Sequence, residues 1–307
     1  MPDRSAIALP PEGRRSWLAD AVRDGGARIV PVRTADGLVW TDPNDPGGLA
    51  TLLDDNPQID WIQLPWAGIE PYVHIVSAHA ERTWTCAKGV YAEPVAEHAL
   101  ALALAGLRHL GPFAEARGWG RQAGVNLLGA RVTILGGGGI TESLLRLLGP
   151  FACDITVVRR IPAPMPGANR VVGESDLDDA LRGAQLVVLA LALTPATTGV
   201  LDRRRLELLD PAGWVVNVAR GGHIVTDDLV AVLAAGRIGG AALDVTDPEP
   251  LPDGHPLWAE PRCIITPHTG NTPEMAVPLL RARVRENVRR RLAGEPLLGP
   301  VDPEAGY

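Results

Sequence analysis

Short apolar runs alternate with helical stretches along much of this 307-residue chain. Near the N-terminus, the apolar segments 27–32 and 59–64 are separated by clusters of Asp, Pro and Gly such as DPNDPGG at 42–48. Strand-length runs that alternate with helices are typical of an α/β unit. Residues 5–82 are therefore predicted to form one such unit.

The strands predicted after Gly129 are nearly continuous apolar runs rich in Val, Leu and Ile. A parallel sheet that is covered on both faces requires strands of this kind. We predict strands at 131–135, 154–158, 186–190, 214–218, 241–245 and 263–266, with helices at 143–148, 177–182 and 227–235 between several of them. This order predicts a doubly wound sheet.

Two longer helices are predicted outside these strands. Residues 93–108 begin with Glu-Pro and are apolar nearly all round, which indicates burial within the domain or in a subunit interface. Residues 273–292 form an Arg-rich helix that we expect to end at Gly294.

Composition narrows the class of protein. The length suggests two domains, and 46% hydrophobic with 21% charged residues is ordinary for a soluble globular protein. A net charge of −7 argues against a nucleic-acid binder. The N-terminus does not resemble a signal peptide, and the apolar run at 99–106 is too short to span a bilayer. We therefore expect a cytoplasmic protein without a membrane contact.

The cysteines and most histidines are expected to be structural. Cys86, Cys153 and Cys263 are scattered and odd in number, which favours reduced thiols over a disulfide framework, and no metal-ligand spacing surrounds them. No metal site is predicted. Packing or surface roles are expected for six histidines, namely His74, His79, His98, His109, His223 and His255.

A dinucleotide site is predicted where ARVTILGGGGITESLLRLL places a strand, a glycine turn and a helix in succession. Gly136 and Gly138 occupy the first two positions of G-x-G-x-x-G: the first permits the tight turn and the second lets the backbone approach a pyrophosphate. Thr141 replaces the third glycine, which indicates a slightly opened helix–strand contact. A plain glycine loop is the alternative, and the strand-turn-helix context argues against it.

The residues after the second strand of this sheet indicate the cofactor. An acid there would bind the ribose 2′-hydroxyl of NAD, whereas arginine accommodates the 2′-phosphate of NADP. The strand at 154–158 is followed by Arg159 and Arg160. NADP is therefore favoured over NAD, and a solvated basic turn in an arginine-rich chain is the alternative.

Three candidate catalytic residues follow successive predicted strands: Arg220 in NVARGG, Glu249 in DPEP and His268 in TPHTG. Ligands of open α/β sheets bind at such strand ends. Reduction of a keto acid needs a cation for the carboxylate, an acid that protonates the developing alkoxide, and a carboxylate that orients that acid. Each residue alone could be an ion-pair, surface or packing residue, but three matching positions make coincidence improbable.

These motifs resemble the D-isomer-specific 2-hydroxyacid dehydrogenases over almost the whole chain. The matching segments are PVAEHALALALAGLR, ILGGGGI, LALTPATTGVLD, VVNVARGGHIV, GAALDVTDPEPLP, HPLW, TPHTG and ENVRRRLAGEPL. The resemblance implies that Arg220, Glu249 and His268 are catalytic. It further implies that Gly139, Ile140, Thr194, Val218, Ala219 and Asp244 line the cofactor, and that Trp66, Ala67 and Gly68 hold the substrate carboxylate.

The resemblance also implies two Rossmann-like α/β domains and a homodimer. The substrate domain is expected at 1–98 and 273–307, with the dinucleotide-binding domain inserted at 99–272. The expected activity is hydride transfer between NAD(P)H and a small 2-keto acid or D-2-hydroxy acid, with glyoxylate or hydroxypyruvate as the suggested substrate. A corepressor-like protein that senses nicotinamide nucleotides, or a phosphite-type dehydrogenase, are the alternatives.

Overall fold

The computed structural model describes residues 5–302 and divides them into two compact units. One comprises residues 5–91 with 272–302, and the other comprises Ala92–Asn271. The first boundary expected from the sequence, after residue 98, lies inside the helix that begins at Ala92, and this helix packs with the second unit. Residues 1–4 and 303–307 of the expected substrate domain lie outside the described part.

The first unit is a parallel five-stranded sheet in the order β2-β1-β3-β4-β5. Its strands are β1 (Ala6–Ala8), β2 (Arg28–Ile29), β3 (Gly37–Val39), β4 (Trp61–Gln63) and β5 (Thr83–Thr85). Its helices are α1 (Leu18–Asp24), α2 (Pro46–Asp55), α3 (Val73–Ala78) and α11 (Pro273–Ala293). The strands are short and mostly buried, so the sheet carries helices on its apolar faces.

Two local details of the first unit were not predicted. The DPNDPGG cluster contains the start of α2, because the Asp45 side chain caps the helix by accepting a 2.8 Å hydrogen bond from the Gly48 amide. Gly25 ends α1 where a Cβ would lie 2.6 Å from the Cβ of Val288, so only glycine lets α1 approach α11 this closely.

The second unit is a parallel seven-stranded sheet in the order β12-β11-β10-β9-β6-β7-β8. Its strands are β6 (Arg131–Leu135), β7 (Asp154–Val158), β8 (Arg170–Val172), β9 (Leu186–Leu189), β10 (Trp214–Asn217), β11 (Gly240–Leu243) and β12 (Cys263–Ile265). The doubly wound prediction is confirmed. Strand β8 was missed because only three residues of it pair, next to a Gly- and Pro-rich segment.

Seven helices of this unit flank the seven-stranded sheet. They are α4 (Ala92–Leu107), α5 (Leu110–Glu115), α6 (Gly139–Leu148), α7 (Leu177–Leu181), α8 (Arg203–Leu206), α9 (Thr226–Ala234) and α10 (Pro256–Ala259). Helix α6 begins four residues before the predicted start, since the last glycine of the turn already has helical geometry. Helix α4 buries its small residues against α6 and β10, and Gly106 places its Cα against the ring of Trp214.

Chain order reverses between β6 and β9, which are neighbours although β7 and β8 lie between them in sequence. In open α/β sheets, ligands bind at the carboxyl ends of the strands where the chain order reverses in this way. Gly136 ends β6 at this point with φ of 107°, and a Cβ on it would lie 2.2 Å from the carbonyl oxygen of Ala190 after β9. The first glycine of the motif is thus required by both backbone conformation and space.

Candidate active site

The glycine turn between β6 and α6 has the features of a pyrophosphate cradle. No side chain caps the first turn of α6, so its amides remain available to an anion. A Cβ on Gly138 would meet no atom within 4 Å, which leaves open space beside the helix N-terminus. Thr141 is fully buried, and its hydroxyl donates a 2.8 Å hydrogen bond to the Gly136 carbonyl oxygen. The residue at the third glycine position therefore ties the turn to the helix.

The two arginines predicted to select NADP directly follow β7. Arg159 is partly buried, and its side chain lies so close to Gly137 that a Cβ there would be 2.8 Å from the Arg159 Cδ and Nε atoms. Arg160 is exposed. The side chain of Arg159 therefore lies against the glycine turn.

The remaining predicted cofactor residues lie in the loops after β9, β10 and β11. The Thr194 amide donates to the Thr197 hydroxyl (2.8 Å), which itself donates to the Ala192 carbonyl oxygen (2.8 Å). Val218 and Ala219 are buried directly after β10. These loops belong to the same unit as the glycine turn.

Asp244 is the most strongly bonded carboxylate in this region. It is buried and accepts hydrogen bonds from the Thr266 hydroxyl (2.6 Å) and from the amides of Thr269 (2.8 Å) and Gly270 (2.9 Å), and it pairs with His98 Nε2 at 3.2 Å. Burial alone would raise its pKa, but the hydrogen bonds from His98, Thr266 and the two amides lower the pKa to about 2. Asp244 is therefore ionised at neutral pH.

This network fixes the loop that carries His268. The His268 backbone has φ of 51°, which is unusual for a residue other than glycine. Its amide hydrogen bonds to the carbonyl oxygens of Asp244 (2.8 Å) and Thr266 (2.9 Å). The Asp244 carboxylate binds the next two amides. Bonds on both sides thus stabilise a strained backbone at a candidate catalytic residue.

His268 and Glu249 are in direct contact. The His268 Nδ1 atom lies 2.7 Å from Glu249 Oε1, and both side chains are about half exposed, at 53% and 43%. The Glu249 Oε2 atom also accepts a 3.3 Å hydrogen bond from the Thr246 amide. A hydrogen bond from Nδ1 to a carboxylate leaves Nε2 free to exchange a proton with a ligand.

Arg220 follows β10, the neighbour of the strand that precedes Glu249. Its Nη1 donates a 2.7 Å hydrogen bond to the Ala219 carbonyl oxygen, and its own carbonyl accepts one from the Asn217 side chain (2.8 Å). A Cβ on the next residue, Gly221, would lie 1.9 Å from the Thr246 carbonyl oxygen, so the loops after β10 and β11 touch there. The three predicted catalytic residues thus follow three adjacent strands.

The predicted substrate loop, Trp66 to Gly68, lies in the first unit after β4. The Trp66 carbonyl oxygen accepts a hydrogen bond from the Ala87 amide (2.8 Å), and the preceding Pro65 carbonyl accepts one from the Tyr91 hydroxyl (3.0 Å). The Trp66 side chain is 38% exposed. The carbonyl side of the loop is therefore held by the protein.

Sequence reasoning missed the role of His98, which it treated as a packing residue. The position of His98 in a largely apolar helix, 93–108, was the available signal. Within residues 5–302 there is no group of three His, Cys, Asp or Glu side chains that could hold a metal ion, and no helix is long and apolar enough to cross a membrane.

Comparison with known proteins identifies the family. Residues 100–270 match the D-isomer specific 2-hydroxyacid dehydrogenase, NAD binding domain family. An uncharacterized protein in the proB 3′ region of Corynebacterium melassecola is 36% identical over 94% of this chain and 95% of its own length. A glyoxylate/hydroxypyruvate reductase A from Yersinia enterocolitica is 34% identical over 57% of this chain, an alignment that spans 56% of that reductase.

A solved structure confirms the fold over nearly the whole chain. The D-isomer specific 2-hydroxyacid dehydrogenase from Xanthobacter autotrophicus Py2, solved in complex with NADPH and MES, is 25% identical and aligns with a TM-score of 0.84 over 99% of this chain and all of its own. The comparisons do not favour the nucleotide-sensing or phosphite-oxidising alternatives. The chain belongs to the D-isomer-specific 2-hydroxyacid dehydrogenases, a family of NAD(P)-dependent oxidoreductases.

Proposed function

We propose that this protein is an NADPH-dependent reductase of a small 2-keto acid, with glyoxylate or hydroxypyruvate as its substrate. The observation that carries the proposal is the 2.7 Å contact between His268 Nδ1 and Glu249 Oε1. It supplies an imidazole whose second nitrogen can deliver a proton, held on a loop at the carboxyl edge of a nucleotide-binding sheet. The reductases among the relatives support the choice of substrate.

Each catalytic side chain has a distinct role in this proposal. His268 protonates the keto oxygen as negative charge develops on it, and Glu249 orients the imidazole through its contact with Nδ1. Arg220 binds the substrate carboxylate and polarises the keto group through its fixed donors. In the first unit, Trp66, Ala67 and Gly68 offer backbone amides to a substrate carboxylate.

The cofactor supplies a hydride when it is bound, and the residues of the second unit fit it. Gly136, Gly138, Gly139 and Ile140 form the turn for the pyrophosphate, while Arg159 and Arg160 bind the 2′-phosphate. The rest of the cofactor site is lined by Thr194, Val218, Ala219 and Asp244. The NADPH bound to the X. autotrophicus structure and the close approach of Arg159 to Gly137 support NADP over NAD.

The substrate and cofactor are tested together by the loss of reduced-cofactor absorbance with glyoxylate, hydroxypyruvate and other small 2-keto acids. We expect oxidation of NADPH in preference to NADH with at least one of the two named acids. Confirmed cofactor binding without turnover of any 2-keto acid would contradict the proposed reaction.

Cofactor choice is tested separately by Arg159→Asp. We expect it to weaken NADPH binding, measured by fluorescence titration, while NADH binding is retained, because only NADPH carries the repelled phosphate. Arg117→Asp is the control, since it makes the same charge change at an exposed loop position. Equal losses for both cofactors would exclude the phosphate contact.

Domain roles and assembly complete the proposal. Residues 92–271 form the dinucleotide-binding domain, and the other unit forms the substrate domain. We expect a cytoplasmic homodimer with α4 in its interface, supported by the apolar composition of that helix. Sedimentation equilibrium measures the state of association, and a concentration-independent monomer would contradict the dimer.

A further inference from the structure

Arg15 is a half-buried cation beside the predicted substrate loop. Its guanidinium carbon lies 4.9 Å from the centre of the Trp66 ring, so the group stacks on the first residue of the loop. Its backbone has φ of 46°, in the left-handed region that residues other than glycine rarely adopt. Stacking and backbone conformation together fix this side chain at one place on the first unit.

The guanidinium of Arg15 has no hydrogen-bond or ion-pair partner among residues 5–302. The nearby acid, Asp42, is already engaged: its Oδ2 pairs with Arg14 Nε at 3.1 Å, and its Oδ1 accepts from the Asn44 amide at 3.1 Å. The other ionisable neighbours are Tyr72 and Tyr91, whose pKa values burial raises to about 12, so both are neutral. Partial burial thus leaves a positive charge without a bonded anion, an arrangement that favours binding one.

The adjacent loop offers further donors for an anion. In the described part of the chain, the amides of Trp66, Ala67 and Gly68 donate to no acceptor. The carbonyl oxygens of Trp66 and Ala67 instead face the Ala87 amide and the Cys86 thiol. Successive free amides form an anion-binding concavity. The surface therefore presents two separate sets of donors, the loop amides and the Arg15 guanidinium.

We propose that Arg15, stacked on Trp66, binds a second anionic group of the substrate while the amides of the loop bind the first carboxylate. The substrates with the highest kcat/KM are then short 2-keto acids that carry a second carboxylate or a phosphate. This inference rests on the proposed function, and it changes the expected order of substrates: the doubly charged acids come before glyoxylate.

Pairs of 2-keto acids of equal length test the role of Arg15. Ketomalonate is compared with hydroxypyruvate, oxaloacetate with 2-ketobutyrate, and 2-ketoglutarate with 2-ketovalerate; phosphohydroxypyruvate separates phosphate from carboxylate. For the wild type we expect kcat/KM of at least one dianionic acid to exceed that of its partner. Arg15→Gln should lower that ratio about 10- to 100-fold, as expected for the loss of a charge-assisted contact, and Arg15→Lys should restore part of it.

Arg23→Gln is the matched control, because Arg23 is an exposed arginine of the same unit and the substitution removes the same charge. It should leave every ratio unchanged. The inference would be overturned if Arg15→Gln left the ratios of kcat/KM as unchanged as Arg23→Gln does. It would also be overturned if the wild type preferred the monoanionic acid of every pair.

Binding of malonate and acetate to the full chain, measured by calorimetry, provides a readout that needs no turnover. We expect Arg15→Gln to weaken binding of malonate selectively. If no 2-keto acid is reduced but this selective loss occurs, the proposed function fails and the anion site stands. If turnover is normal and malonate binding is unchanged by the substitution, the Arg15 site alone is wrong.

Discussion

Replacing Asp244 by Asn should destabilise the protein by an amount that depends on pH. The pKa of this carboxylate is lowered from 3.8 to about 2 in the folded protein, since burial is outweighed by the hydrogen bonds from His98, Thr266 and two amides. A tenfold change in a protonation equilibrium corresponds to about 1.4 kcal/mol. The ionised carboxylate therefore contributes about 2 kcal/mol to the free energy of unfolding at neutral pH.

The sign of the pH dependence follows from the lowered pKa. The stabilisation is fully present above the pKa of the unfolded chain and is lost as the pH falls towards the folded value of about 2. At pH 3, roughly half of it remains. The difference in stability between wild type and Asp244→Asn should therefore shrink by about 1 kcal/mol between pH 7 and pH 3.

Equilibrium urea unfolding of both proteins at a series of pH values measures this difference. Asp253→Asn is the control, because Asp253 is exposed and accepts no hydrogen bond in the described structure. Its difference from wild type should stay near zero. If the difference for Asp244→Asn is the same at pH 7 and pH 3, the hydrogen bonds do not favour the ionised carboxylate.

Three further substitutions test the geometry of the site. Gly221→Ala places a Cβ 1.9 Å from the Thr246 carbonyl oxygen. The substitution should lower the free energy of unfolding by about 1–3 kcal/mol and therefore lower the Tm. An unchanged Tm would contradict the close approach. Thr141→Val removes the hydroxyl that donates a hydrogen bond to the Gly136 carbonyl oxygen. The substitution should lower the free energy of unfolding, measured in urea, by about 1 kcal/mol. An unchanged free energy would show that this bond does not stabilise the protein. Glu249→Gln should lower kcat on the order of tenfold or more while NADPH affinity is kept; unchanged kcat would show that the carboxylate does not assist His268.

The strands were predictable because parallel strands covered on both faces are nearly continuous apolar runs. For β6 and β7, both predicted ends agree with the structure. Strand β8 escaped because its three residues include an exposed arginine and only two partly buried valines. The start of α2 was missed because Asp, Pro and Gly favour both loops and helix N-termini, and only the Asp45 cap distinguishes the two.

The sequence predicts individual candidate residues of the site but not the contacts between side chains. Strand ends and motif resemblance placed Arg220, Glu249 and His268. The sequence could not show that His98 pairs with Asp244, because the two lie far apart along the chain and meet only when α4 packs on the sheet. The free guanidinium of Arg15 likewise depends on Asp42 being occupied by Arg14, which is a fact of geometry.

In the proposed reaction, His268 protonates the substrate during hydride transfer. Single-turnover oxidation of bound NADPH by glyoxylate or hydroxypyruvate, whichever the wild type reduces, should be compared between wild type and His268→Ala, with His74→Ala as an exposed control. If His268 is the proton donor, the rate should be about 10²- to 10⁴-fold lower for His268→Ala, with NADPH affinity retained and the His74→Ala control unaffected. A near-normal rate for His268→Ala would contradict this role.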